Sequence, residues 1–299
     1  MTRHLGYRSV VTKPVRKAST PSTPVVVDGA GGRHVRHDRV VTEEPMEIRV
    51  GGPAEEPRSI AVTMRTPGHD FDLAAGYLWT ERIARSRADV REVKYCVRGV
   101  ESAQLYNIVT VRLAHAVGDV LGRRAAVTSA SCGICGTASL DLLEVDVESI
   151  DPSSGPIIDA PILVTLPDRL RPHQVGFDQT GGLHAAGVFD ATGALLVLRE
   201  DVGRHNAVDK VIGHELLAGH LPLRDRVLAV SGRTSFEIVQ KAATAGIAMI
   251  AAVSAPSSLA IDAAERFGIT LVGFVRGGTA NIYTHPHRVT SPPAPTRTT

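Results

Sequence analysis

Residues 227–275 read VLAVSGRTSFEIVQKAATAGIAMIAAVSAPSSLAIDAAERFGITLVGFV. Three short runs here are apolar almost throughout: Val227–Val230, Ala248–Val253 and Ile269–Val275. Between them lie two segments of helical length, Ser235–Ala245 and Ser257–Phe267. Each is entered through a turn, Ser231-Gly232-Arg233-Thr234 and Ser254-Ala255-Pro256. Runs without alternating polar positions are what strands buried on both faces require, and strand–helix alternation on short connections predicts a parallel sheet. The second half of the chain therefore reads as α/β. Arg276-Gly277-Gly278-Thr279 ends the third run, and a last short strand is predicted through Asn281–Tyr283.

Working outward, Ala185–Phe189 and Ala194–Leu198 predict a hairpin joined by Asp190-Ala191-Thr192-Gly193, followed by a helix over Asn206–Leu217. A loop at Asp151–Pro156 and a helix ending near Gln179 precede the hairpin, and a short helix is predicted over Thr137–Leu143. In the first half, period-2 patterns at Met46–Val50, Ile60–Met64 and Leu105–Leu113 predict strands. Helical spacing of Phe71, Leu73, Tyr77, Leu78 and Ile83 predicts a helix over Asp70–Ile83, after the break at Thr66-Pro67-Gly68.

The 299 residues suffice for one large domain or two small ones. Aromatics make up 4%, so Val, Ile, Leu and Ala must build the core. No apolar run approaches the ~18 residues of a membrane span, and no secretory h-region is visible. Three cysteines, an odd number, argue against a disulfide framework and for a cytoplasmic protein. The net charge of +2 hides an asymmetry: residues 1–40 carry eight Lys/Arg against two Asp. The remaining acidic body argues against a nucleic-acid-binding domain. Residues 1–40 read as a disordered basic leader and 285–299 as a disordered tail rich in Pro, Ser, Thr and Arg. Between them, 41–130 reads as an N-terminal α/β subdomain and 131–284 as the principal α/β domain.

In open parallel sheets, ligands sit beyond the carboxyl ends of the strands. Three loops are predicted at that edge: Ser231–Thr234, Ser254–Ser258 and Arg276–Thr279. Two open onto helix N-termini, whose unpaired N–H groups and dipole favour anions. With Arg233 and Arg276 as charge partners, they suit a nucleotide or other phosphorylated ligand. The same Ser, Pro and Gly residues also serve as ordinary caps and turns. Asp201-Val202-Gly203-Arg204-His205-Asn206 gathers an acid, a base and an imidazole in one loop, where Asn206 reads equally as an N-cap and His205 as a surface residue or a site residue.

The chain spends two of its three cysteines at Ser131-Cys132-Gly133-Ile134-Cys135-Gly136. Thiols two residues apart serve dithiol exchange, half of a zinc site, or carriage of sulfur as a persulfide. No second pair exists to complete a structural zinc site, so no metal is expected. Cys96, between Val93, Tyr95 and Val97, reads as core.

Together these motifs resemble the FdhD family, the formate dehydrogenase accessory sulfurtransferases. The matching segments are Met64-Arg65-Thr66-Pro67-Gly68, the cysteine motif, Thr180-Gly181-Gly182-Leu183-His184-Ala185-Ala186 and Glu200-Asp201-Val202-Gly203-Arg204-His205-Asn206-Ala207-Val208-Asp209-Lys210. Further on come Ser231-Gly232-Arg233-Thr234-Ser235-Phe236-Glu237, Ser254-Ala255-Pro256-Ser257-Ser258-Leu259-Ala260 and Asn281-Ile282-Tyr283-Thr284. The resemblance implies a cytidine deaminase-like mixed sheet covered by helices, and a homodimer. It implies that sulfur passes from a cysteine desulfurase to the molybdenum cofactor, as bis-molybdopterin guanine dinucleotide, for formate dehydrogenase. It makes Cys132 the persulfide carrier, with Cys135 assisting, and Phe274-Val275-Arg276-Gly277-Gly278-Thr279 the cofactor contact. Deaminase activity is not implied: Ser131 stands where a zinc deaminase has proline, and His184-Ala185-Ala186 lacks the glutamate.

Overall fold

The computed structural model describes residues 20–29, 31–96, 106–117 and 148–291. Cys132, Cys135 and the helix predicted over Thr137–Leu143 lie outside the described residues. Fourteen strands are present among the described residues.

A six-stranded mixed sheet forms the second half. It comprises β8 (His184–Phe189), β9 (Leu195–Asp201), β10 (Val227–Val230), β11 (Met249–Ala252), β12 (Thr270–Arg276) and β13 (Thr279–Ile282), in the order β13-β12-β11-β10-β8-β9. The three apolar runs are the parallel centre, β10 beside β11 beside β12. The flanking strands β8, β9 and β13 are antiparallel to their neighbours, so the sheet is mixed. Strand alternation sends Leu228 and Ile250 to one face, and Val227, Ala229, Met249 and Ala251 to the other. The first face is covered by three helices, Arg204–Ala218, Phe236–Thr244 and Ser258–Phe267. The second is covered by two short helices, Ala160–Leu163 and Leu166–Leu170.

The stretch expected to be a helix ending near Gln179 is instead these two pieces, a 3-10 turn at Arg171–His173 and a third helix at Val175–Thr180. Proline is the cause. Pro161 and Pro167 each sit in a first helical turn, where no N–H is needed, and Pro172 cannot extend the preceding helix.

The first half is a four-stranded sheet ordered β4-β3-β6-β5, from β3 (Glu44–Gly51), β4 (Arg58–Arg65), β5 (Val90–Tyr95) and β6 (Ile108–Leu113). Its helix, α1 (Asp70–Thr80), packs against Arg204–Ala218 from the other sheet, and one apolar core runs through both halves. The helices touch at two glycines. A Cβ on Gly76 would stand 1.8 Å from the Asp209 carbonyl oxygen, and one on Gly213 1.8 Å from that of Asp72.

Two expectations of disorder are corrected over their described parts; residues 1–19 and 292–299 lie outside the described residues. β1 (Ser22–Gly29) and β2 (Gly32–Arg39) form a hairpin in full register inside the predicted leader. Its facing valines, Val26 and Val35, are 57% and 67% exposed, so ladder hydrogen bonds rather than burial hold it together. In the predicted tail, Val289–Thr290 pairs with Ile158–Asp159, and Arg288 is buried. Arg288 donates to the carbonyls of Ser154 and Asp151 and to Thr270 Oγ1, which offsets burying its charge.

Candidate functional site

The loops after β10, β11 and β12 leave the same edge of the sheet, as the parallel reading requires. They are tied to one another. Thr234 N–H donates to Ala255 O, Ser257 N–H to Thr234 O, and Phe274 N–H to Ser254 O. Phe274 holds φ 53°, and the Arg276 guanidinium lies 5.4 Å from its ring centroid.

A cavity of about 560 Å³ opens at this edge. From the sheet come Ser231, Val253, Val275, Arg276 and Gly277. The opposite wall is Pro167, Asp168, Leu170, Arg171, Gln174 and Phe177, closed by Gly181, Gly182, Leu183 and His184. The structure thus brings together Ser231, Val275, Arg276 and Gly277 of the predicted residues. Gly232 lies next to them, its Cβ position 3.2 Å from His184 Nδ1.

The other predicted residues stand elsewhere. Ser257 Oγ accepts from Ala260 N–H and caps its helix, as the plain reading of a serine there requires. Thr279 Oγ1 donates to Arg276 O in the glycine turn. Thr234 is buried, and its Oγ1 has no hydrogen-bond partner among the described residues. Arg233, Ser254, Phe274 and Gly278 are not among the lining residues of the cavity. His205 is also absent from the lining: its Nε2 lies 2.9 Å from Ser235 Oγ and 3.0 Å from Glu237 Oε2, at the start of the helix Phe236–Thr244.

The polar loop after β9 proves to be a brace. Asp201 accepts from the N–H groups of Thr66 and Gly203, from Asn206 Nδ2 and from Lys210 Nζ at 2.6 Å. Lys210 also donates to Thr66 O, and Val202 N–H to Thr66 Oγ1. Arg65 forks onto Asp70 through Nε and Nη2 at 3.1 and 2.9 Å, with both side chains fully buried. The segments 64–68 and 200–210 are therefore one buried polar joint between the two sheets. Glu200 faces outward from it and accepts from the N–H groups of Gly176 and Phe177, both at 2.8 Å. A carboxylate at that helix start fixes Phe177 on the cavity wall. A second cavity of about 390 Å³ lies on the far side of Leu183, lined by Thr66, His69, Glu200 and Lys210 among others.

The electrostatics of the cavity suit an anion. Arg171 and Arg276 line it, and Arg204 and Arg233 act on His184 from beside it. Burial, then those two cations, push the His184 pKa below its ordinary value, so the ring is neutral at pH 7. Arg204 Nε is buried without a hydrogen-bond partner among the described residues.

A family model described as the FdhD/NarQ family matches residues 41–290. The chain belongs to that family. The sulfur carrier protein FdhD of Streptomyces avermitilis is 48% identical over 263 residues, which is 87% of this chain and 92% of the relative. That of Mycolicibacterium paratuberculosis is 50% identical over 264 residues, 87% and 95% of the two chains. A crystal structure described as a formate dehydrogenase accessory protein, from Desulfotalea psychrophila, superposes with a TM-score of 0.68 at 24% identity, covering 91% of this chain and 99% of that one. At that identity it speaks for a shared fold. The family match includes both sheets and the cavity and leaves out the hairpin β1–β2.

Sequence reasoning marked Gly181-Gly182-Leu183-His184 but missed the wall from Pro167 to Phe177. Its signal was present in Pro172, inside an apparent helix, and in the Arg171–Phe177 pair, which stacks at 4.9 Å.

Proposed function

We propose that this protein is a sulfurtransferase that carries sulfur as a persulfide on Cys132 and delivers it to a molybdenum cofactor required by formate dehydrogenase. The observation that carries this reading is 48–50% identity, over nearly the whole of each relative, to proteins named sulfur carrier protein FdhD. The paired thiols at 132 and 135 support it.

On this reading the donor is a cysteine desulfurase bearing a persulfide. The Cys132 thiolate attacks the outer sulfur, a new S–S bond forms at Cys132, and the desulfurase cysteine leaves as a thiolate. Cys135 assists or holds sulfur in turn. The receiving cofactor, bis-molybdopterin guanine dinucleotide, is a substrate. Its phosphates face the loops at Ser231, Ser254 and Arg276, where arginines and helix starts supply the positive field. The described residues on either side of the cysteine motif are anchored. Val117 N–H donates to Glu55 Oε2 at 3.0 Å, and Ile150 N–H to Phe267 O at 2.9 Å.

The same reading makes the protein a cytoplasmic homodimer, with residues 41–130 as one subdomain and 131–284 as the cofactor-binding domain. It relates the six-stranded sheet to that of the cytidine deaminases. The hairpin β8–β9 followed by three parallel strands, each preceded by a helix, supports that kinship. No helix among the described residues is long and apolar enough to cross a membrane.

The test is intact-protein mass after incubation with a cysteine desulfurase and cysteine. Wild type and Cys135→Ala should gain a reducible ~32 Da, one sulfur, and Cys132→Ala should not. No gain in wild type beside an active desulfurase would replace this reading with that of a cofactor-binding chaperone.

A further inference from the structure

The helix Val175–Thr180 carries Phe177 on the cavity wall, yet little of its own holds it there. It has six residues, none of them buried. A helix so short is unstable alone, and one without a buried face gains little from packing. Gln174, at its start, makes no capping bond from its side chain. The N–H groups of Gly176 and Phe177 are met instead by Glu200 from the edge strand β9, one on each carboxylate oxygen. Gly176 leaves room for this approach: a Cβ on it would stand 2.4 Å from Leu183 Cδ1 and 3.2 Å from Glu200 Oε2. What Phe177 supports is a charge. The Arg171 guanidinium lies 4.9 Å from its ring centroid, pairs with Asp178 and lines the cavity. Glu200 itself is not among the lining residues of this cavity.

We infer that Glu200 is a positioning residue for the anionic ligand of this cavity: by holding the helix Val175–Thr180 it sets, through Phe177, where the Arg171 guanidinium stands. The inference rests on the proposed use of the cavity for a phosphorylated cofactor and adds a residue that acts on that ligand without lining its cavity. The chemistry asks for a carboxylate. Two adjacent N–H groups need two acceptors side by side, and an ionised carboxylate offers two and no donor. An amide of the same shape turns its NH2 toward one of the N–H groups and loses that bond. Negative charge is also favoured at a helix start, and hydrogen bonds to it are the stronger kind. The backbone of Glu200 is itself fixed. Its carbonyl accepts from Lys210 Nζ at 3.3 Å, and the next residue is Asp201, at the centre of the joint. The joint thus fixes the strand, and the strand fixes the helix. Arg171 has 46% of its side chain exposed, so this chain of contacts is what gives it a defined place. A guanidinium already held in place loses less side-chain freedom when a ligand binds.

The experiment is calorimetric titration of the full chain with GDP, the nucleotide portion of the proposed cofactor, at low and high salt. Glu200→Gln should weaken binding about tenfold, the worth of one charge-assisted hydrogen bond. Arg171→Ala should weaken it to a similar extent. The double variant should stay within about twofold of Arg171→Ala, because effects exerted one through the other do not add. Both single variants should also lose part of the salt dependence of binding, which a helix held for stability alone would not change. Glu200→Asp, which keeps the charge at a shorter reach, should fall between wild type and Glu200→Gln. Wild-type affinity in Glu200→Gln, or a double variant weakened by the product of the two single effects, would overturn the positioning role and leave the use of the cavity intact. Absence of GDP binding by wild type would overturn that use and the inference with it. Thermal unfolding of Glu200→Gln should stay cooperative, since Asp201, Lys210 and Thr66 are untouched; loss of cooperativity would mean that Glu200 serves the fold instead.

Discussion

Asp201 accepts four hydrogen bonds in a buried position and has one counter-charge, Lys210, which is buried as deeply. Such a pair adds little over an apolar substitute, but breaking it leaves a charge stranded. Asp201→Asn keeps the shape and strands Lys210, so it should cost about 3–5 kcal/mol of stability. Adding Lys210→Met should restore part of that loss. Urea unfolding of the single and double variants reads both, and a double variant no more stable than Asp201→Asn would show that the charge is not what matters. At this scale the sequence was half legible. The density of polar types in 201–206 marked a special place, but not that the place is a joint. Asp201 looks equally like a catalytic acid until Thr66 and Lys210 are seen to close around it.

Between elements, the decisive contact is α1 against the helix Arg204–Ala218. Gly76 and Gly213 let the two backbones meet where a methyl group would lie 1.8 Å from a carbonyl oxygen. Backbone cannot yield as a flexible side chain does, so the helices must separate. Gly213→Ala should therefore cost at least about 1–3 kcal/mol, the usual range for overpacking, although alanine favours an isolated helix. Thermal unfolding checks the sign: a rise in Tm would mean that propensity outweighs the clash. Element type was legible where burial imposed a period, as in Met46–Val50 and Asp70–Ile83. The hairpin β1–β2 escaped because almost every residue in it is exposed, with charges and valines on no consistent face. A period exists only where one side must avoid water.

Across the whole molecule, acid should destabilise the fold before any carboxylate titrates. His184, His205 and His214 all have pKa values lowered by burial foremost; Arg204 and Arg233 add to this at His184, and Arg199 at His214. Below the ordinary histidine pKa of about 6.5, the unfolded chain binds protons that the folded chain refuses, so stability falls as pH falls. The urea midpoint should be level from about pH 8 to 7 and lower at pH 5, and His184→Gln should flatten the decline. A midpoint unchanged down to pH 5 would mean these rings are better solvated than the structure places them. Asp72, held low chiefly by His69 and Arg199 against the opposing effect of burial, adds a further loss near pH 4 and below.

The amino-acid sequence alone determined the strand–helix alternation of 227–275, the common edge of its three loops and the family. These are carried by local periodicity and by contiguous motifs, which need no knowledge of distant partners. Only the tertiary structure decided that β8 and β13 run antiparallel to the parallel centre, that 64–68 and 200–210 lock together, and that Asp168, Gln174 and Phe177 share one cavity with Ser231 and Arg276. Residues about a hundred positions apart meet there because the proline-broken segment folds back over the sheet edge. That return path depends on packing of the second sheet face, to which no single stretch of chain holds the key.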